Sequence, residues 1–154
     1  MMQARMHPAS LDSHIGFWLR FVSNHVSQSF ARKLERSGVT VAEWVMLREM
    51  FEAGATSPSR LADSSGLTRG AVSKLVERLV RKKLATREEA GDDRRYQDLT
   101  LTAAGRALVP KLAALADRNE EEFFSCLSAQ ERAGLMNMLR KLAAANRLKK
   151  IPVN

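Results

Sequence analysis

Thr68, Arg69, Gly70, Ser73 and Lys74 fall within seven consecutive residues, and Arg78 follows one turn later. If Val72, Leu75, Val76 and Leu79 mark the buried stripe of a helix, these polar residues share its other face. Such a face can donate from arginine or lysine to guanine O6 and N7, and from serine or threonine to base edges or phosphate oxygens. A major groove about 12 Å wide admits one helix. Gly70 costs about 1 kcal/mol against alanine inside a helix. Close approach to a polyanion backbone accounts for it, and so does simple tolerance on an exposed turn. Upstream, Ser57, Ser59 and Arg60 open a short helix whose outward N-terminus suits a phosphate. Downstream, Arg94 and Arg95 lie in the stretch Ala90-Gly91-Asp92-Asp93-Arg94-Arg95. A protruding arginine can enter a narrow, electronegative minor groove, and local Asp–Arg pairing on a solvated loop is the other use of such a stretch.

Catalytic chemistry has little material. Three histidines, one cysteine and no glycine-rich phosphate loop leave no nucleophile, base and orienting group at a legible spacing. An enzyme is not expected, nor is a cofactor. His14 and His25 stand eleven residues apart, about three helical turns, so they cannot chelate one metal ion from a single helix. Cys126 has no partner for an intramolecular disulfide or a CxxC knuckle. Beside Phe123, Phe124 and Leu127 it reads as a small buried hydrophobe late in a helix.

The 154 residues include 25 Lys+Arg and 17 Asp+Glu, a formal charge of +8, with 45% hydrophobic residues. This suits one folded domain that buries a core without disulfides. The charge is polarised. Residues 57–87 carry eight bases and two acids, residues 132–154 carry six bases and no acid, and residues 117–131 carry five acids against Arg118. A positive stripe within a folded segment is the electrostatic footprint of a polyanion partner, although a basic helix face can also be merely solvated. No apolar run is long enough to span a membrane, and Met1 to His7 lacks the apolar core of a signal peptide. The expectation is a cytoplasmic protein with no membrane partner.

The elements that must position these residues follow from periodicity and punctuation. Leu11, Ile15, Trp18, Val22, Val26, Phe30 and Leu34 recur at steps of three and four, predicting one long helix over 11–36. His14, Phe17, Phe21 and His25 form a second stripe on an adjacent face. An apolar surface this wide points to two packing partners, one of them another subunit. Thr40 and Glu43 form a capping box for a second helix that ends by Gly54. Ser57 with Pro58 starts the third, which stops at Gly66, and the fourth runs from Thr68 to about Lys82. Two helices joined so closely make a helix-turn-helix. Ala85 to Glu88 and Tyr96 to Leu101 alternate as a hairpin with a charged tip. Thr102 caps a fifth helix of about 24 residues containing Pro110. Ser128 with Glu131 caps a sixth, with Leu135, Met138, Leu139 and Leu142 facing inward.

These residues resemble the MarR (multiple antibiotic resistance regulator) family of winged helix-turn-helix transcription factors. The resemblance spans roughly Leu11 to Leu142. It rests on Leu61-Ala62, on the run from Leu67 to Leu79, on Arg87, and most sharply on Asp93-x-Arg95-x-x-x-Leu99-x-Leu101-Thr102-x-x-Gly105. It implies a mainly α fold with a small two- to three-stranded β wing, a winged helix-turn-helix lobe over 40–102, and dimerisation helices over 11–36 and 103–148. It further implies an obligate homodimer, with the fourth helix in the major groove of double-stranded DNA and the wing in the minor groove. By position, Arg95 is the minor-groove arginine and Asp93 orients the wing. A pocket for a small aromatic or phenolic effector is also implied, with His14, Phe17, Trp18, Phe21, His25, Trp44 and Arg48 as candidates. For each aromatic the competing role is core packing. Where relatives usually carry glycine before the first wing strand, this chain has Lys83, which must then take a left-handed conformation unless the turn differs.

The expected function is a ligand-responsive, sequence-specific regulator, a repressor rather than an activator, acting on a pseudo-palindromic operator. The alternative is a sequence-indifferent architectural DNA-binding protein, for which net charge and a basic tail suffice.

Overall fold

The computed structural model describes residues 7–89 and 97–148. Six α-helices and a two-stranded antiparallel sheet follow one another in chain order: α1 (Ile15–Glu35), α2 (Val41–Ala53), α3 (Pro58–Ser65), α4 (Arg69–Arg81), β1 (Ala85–Glu89), β2 (Gln97–Leu101), α5 (Ala103–Phe124) and α6 (Ala129–Ala145). The sheet pairs Ala85 with Leu101 and Arg87 with Leu99. A single bridge from Thr56 to Leu99, with backbone hydrogen bonds of 2.8 and 3.0 Å, adds the rudiment of a third strand. The mainly helical fold with a small wing is thus the one expected.

Most helix starts follow the side-chain chemistry. Thr40, Ser57, Thr68, Thr102 and Ser128 each accept a hydrogen bond from the backbone N–H three residues on. Each satisfies one donor that the first helical turn leaves without a partner. Ser128 and Glu131 complete a full capping box. At α2 the box is only half formed. Glu43 does not reach back to the Thr40 N–H; its carboxylate turns inward, 2% exposed, and takes Lys82 Nζ at 2.6 Å. The tertiary ion pair outcompetes the local bond.

Three further expectations are corrected. The first helix begins at Ile15 rather than residue 11, because Leu11–Ser13 forms a separate 3-10 turn and His14 is extended. The Trp18 indole N–H donates to the Asp12 carbonyl at 2.8 Å and holds that turn against the helix. In α6, Met138, Leu139 and Leu142 do not face inward: the helix buries no residue, and all three are exposed. Cys126 lies past the end of α5 in the turn to α6 and is exposed rather than buried.

The core sits where α2, α3 and α4 meet the wing and α5. Met46, Leu47, Met50, Leu61, Val72, Val76, Leu79, Leu99 and Leu112 are all but completely removed from solvent. Burying a residue of this size stabilises the fold by roughly 1.5–3 kcal/mol. From α1 only Leu34 is fully buried. Polar chemistry then joins α1 to α5: buried Asn119 donates to the Val26 carbonyl at 3.1 Å and accepts from Lys33 at 3.0 Å, while Lys33 also reaches Glu122 at 2.7 Å.

Candidate DNA-binding surface

Helix α4 owes its place to the burial of Val72, Leu75, Val76 and Leu79 on one side. The opposite side therefore faces solvent, and Thr68, Arg69, Gly70, Ser73, Lys74 and Arg78 are all exposed. Arg69, Lys74 and Arg78 make no ion pair among the described residues, so their charge is available to a partner. Glu77, the acid on this face, is paired with Arg81 at 3.1 Å, which blunts its repulsion of an approaching polyanion. The Thr68 hydroxyl accepts from the Ala71 N–H at 3.2 Å, so its capping role comes first. A Cβ added at Gly70 would meet nothing within 4 Å. Among the described residues no packing requires glycine there.

Helix α3 stands beside α4, linked by a turn around Gly66, which is left-handed at φ +77°. Ser57 caps α3 through the Arg60 N–H at 3.3 Å and is half-buried, as is Ser59, whereas Arg60 is exposed. Of this trio, Arg60 is the side chain that reaches outward.

The α4–β1 junction sets where the wing begins. Lys83 is left-handed at φ +60°, the Leu84 N–H bonds the Leu79 carbonyl at 2.9 Å, and the Lys83 N–H bonds the Val80 carbonyl at 3.0 Å. This is a Schellman motif built on a lysine. Thr102 grips the same turn, its hydroxyl donating to the Lys83 carbonyl at 2.7 Å and its N–H to the Leu84 carbonyl at 3.0 Å. Asp93, Arg94 and Arg95 lie outside the described residues.

The effector candidates divide into two groups. Phe17, Trp18, Phe21 and His25 form a contiguous exposed patch on α1: Phe21 lies 6.2 Å from Phe17, 6.0 Å from Trp18 and 4.5 Å from His25, between ring centroids. His14 sits at the start of the helix, its Nδ1 3.2 Å from the Ser10 carbonyl. Trp44 and Arg48 belong to α2 instead. Trp44 packs edge-on against Phe30 at 6.3 Å, and Arg48 pairs with Glu52 at 2.5 Å while lying 6.0 Å above Phe51. Among the described residues no ring contact joins the two groups.

A separate open groove of about 870 Å³ runs between α1 and the α5–α6 arm, lined by Ile15, Trp18, Leu19, Val22, Leu135 and Leu139. Of the candidates, Trp18 alone lines it. The sequence signal for Leu19 was available, since it stands four residues after Ile15, but it falls between the two stripes used to read the helix. Among the described residues no helix is long and apolar enough to cross a membrane, and no group of three or more His, Cys, Asp or Glu is placed to hold a metal ion.

Comparison with known proteins agrees with this geometry. A MarR family model matches residues 37–95, which run from the α1–α2 turn to beyond β1. The HTH-type transcriptional repressor MdtR of Bacillus subtilis is 27% identical over 135 residues, covering 88% of this chain and 87% of MdtR. The structure of Bordetella bronchiseptica BpsR, whose DNA binding is regulated by 6-hydroxynicotinic acid, superposes with a TM-score of 0.78. It is 28% identical and covers 88% of this chain and 98% of BpsR. Staphylococcus aureus MepR, solved as a complex with DNA, gives a TM-score of 0.77 at 26% identity, covering 86% of this chain and 98% of MepR. The matching proteins are transcriptional regulators rather than enzymes, and over residues 37–95 and in its overall fold the chain is similar to the MarR family of winged helix-turn-helix, DNA-binding transcriptional regulators.

Proposed function

We propose that the chain is a homodimeric repressor that reads a pseudo-palindromic operator with α4 and releases it in response to a small aromatic anion. The observation that carries the DNA reading is the division of α4 into a buried apolar side and an exposed side bearing Thr68, Arg69, Gly70, Ser73 and Lys74. Arg69 and Lys74 would donate to base edges or phosphates in the major groove, Arg60 and Arg78 to flanking phosphates, and Arg95, oriented by Asp93, to the minor groove. Arg94 would add a backbone contact beside it.

The homodimer is supported by what one copy leaves uncovered. Ile15, Trp18, Leu19, Val22, Leu139 and Leu142 are exposed on α1 and α6. A cluster of large apolar side chains on two neighbouring helices is costly in water, and a second copy would cover it isologously. Residues 11–36 and 103–148 then act as the dimerisation arms and residues 40–102 as the DNA-binding lobe.

An aromatic anion would stack on one of the two candidate groups, Phe17, Trp18 and Phe21 on α1 or Trp44 beside Arg48 on α2. By shifting α1 relative to α2, it would change the separation of two α4 helices that must match half-sites about 34–36 Å apart. BpsR, whose DNA binding is regulated by 6-hydroxynicotinic acid, and the repressor MdtR support a ligand-responsive repressor. A regulator of this kind acts in the compartment that holds the DNA, here the cytoplasm.

Selection of bound duplexes from a random pool at two salt concentrations tests the reading. Enrichment of an inverted repeat with half-sites one helical turn apart supports it. Salt-dependent binding with no enriched sequence favours the architectural alternative. Adding 6-hydroxynicotinic acid or a simple phenolic carboxylate to the selected complex then tests release.

A further inference from the structure

Three helix ends converge on one ammonium group. Lys82 is the C-cap of α4, and its Nζ donates to the Gly38 carbonyl at 2.6 Å and to Glu43 Oε2 at 2.6 Å. Gly38, left-handed at φ +69°, ends α1: its N–H bonds the Glu35 carbonyl at 3.0 Å, and the Val39 N–H returns to the Leu34 carbonyl at 3.4 Å. Glu43 lies in the first turn of α2 and is 2% exposed, whereas the Lys82 side chain is 39% exposed. The charges suit their places. The cation sits where α1 and α4 present carbonyl ends, and the anion where α2 presents N–H groups.

Among the described residues these are the only hydrogen bonds that tie α4 to the end of α1 and the start of α2. The rest of that contact is apolar packing through Val72, Val76, Leu79, Met46 and Met50, which resists separation but is weakly directional. Two short charge-assisted bonds are directional. We infer that Glu43 and Lys82 form a strut that fixes the direction of α4 relative to α1. Glu43 is thereby a positioning residue for DNA recognition that cannot itself touch DNA. Any displacement of α1 is carried to α4 through a contact that is either made or broken. The inference rests on α4 being the helix that reads DNA.

The test measures affinity for the selected operator and for an unrelated duplex, across a salt series, for Glu43→Gln, Lys82→Met and the double variant, with melting temperature recorded for each. A strut predicts that each single change lowers the operator-to-unrelated ratio by about tenfold, and that the double variant is no more than about twofold worse than the poorer single. For Glu43→Gln the salt slope stays unchanged. A merely structural role would lower the folded fraction and the melting temperature but leave the ratio alone. An unchanged ratio for Glu43→Gln, or losses that multiply, overturns the strut. So does a salt slope that falls by about one for Lys82→Met while Glu43→Gln is silent, because Lys82 is then a phosphate contact. If Glu43→Gln does not fold, Lys82→Arg, which keeps charge and reach, should retain most of the ratio that Lys82→Met loses; equal losses overturn the proposal. Arg69→Ala runs in parallel. Loss there with no loss at Glu43 rejects the strut alone, and no loss at Arg69 rejects the α4 reading with it.

Discussion

A Cβ built on Gly105 would stand 2.0 Å from the Leu84 carbonyl oxygen. The first turn of α5 is therefore laid directly on the backbone that connects α4 to the wing, with Thr102 bonded to both Lys83 and Leu84 beside it. This contact gives the Thr102-x-x-Gly105 spacing a physical reason. Gly105→Ala must push α5 away from the turn, at a cost of about 3 kcal/mol or more, the upper range for overpacking. Urea unfolding should report a loss of that size in unfolding free energy, seen as a lower midpoint at unchanged slope. A neutral result would mean that the turn yields without resistance.

Lys83 should prove to be a point of stored strain. A non-glycine residue at φ +60° costs roughly 1–2 kcal/mol. Lys83→Gly relieves this while adding some freedom to the unfolded chain, so a net gain of about 1 kcal/mol in unfolding free energy is expected. A destabilised variant would mean that the lysine side chain contributes more than its backbone costs.

Gly70 separates stability from function. With open space at its Cβ position, Gly70→Ala should stabilise the helix by up to about 1 kcal/mol. If DNA approaches the backbone there, the same variant binds the operator more weakly. A rise in melting temperature with unchanged affinity would leave Gly70 as tolerance on an exposed turn.

Base contacts and phosphate contacts have different signatures. Arg69→Ala should relax preference at particular base positions by about 1–3 kcal/mol if the contact is bidentate. Lys74→Ala should show whether this lysine touches phosphate, by weakening all sequences alike and lowering the salt slope by about one. Arg95→Ala should weaken operator binding, and an unchanged affinity in a filter or gel assay would remove the wing from the interface.

Exposed apolar residues on α6 make the dimer testable without DNA. Leu139→Asp places a charge in the groove shared with α1 and should produce monomers in sedimentation at micromolar concentration. The lobe core contains no α6 residue, so the far-ultraviolet helical signal should largely persist. A dimer that survives this change would place the interface elsewhere.

How much of this was legible in the sequence depends on the range over which each feature is decided. Thr40, Ser57 with Pro58, Thr68, Thr102 and Ser128 announce their helices because a cap is settled by residues three apart. The exposed face of α4 was equally readable, since Val72, Leu75, Val76 and Leu79 define its complement. Lys83 is left-handed, one of the two alternatives that the resemblance leaves open where relatives carry glycine.

Other features needed the assembled chain. The α1 stripe is continuous in sequence, yet Leu34 at one end is buried and Ile15 at the other is exposed, because periodicity gives a direction around a helix and not the length of its partner. The Thr40–Glu43 spacing predicts a capping box. The Glu43 carboxylate instead chose Lys82, 39 residues away, because a buried charge is stabilised more by a cation than by one N–H. The helices, their caps and the polar chemistry of the exposed face of α4 are therefore written locally, all set by neighbours within a turn or two. Which apolar faces stay uncovered, where Glu43 finds its charge and how α5 locks the wing are settled by folding, since each depends on groups that meet only when the chain has folded.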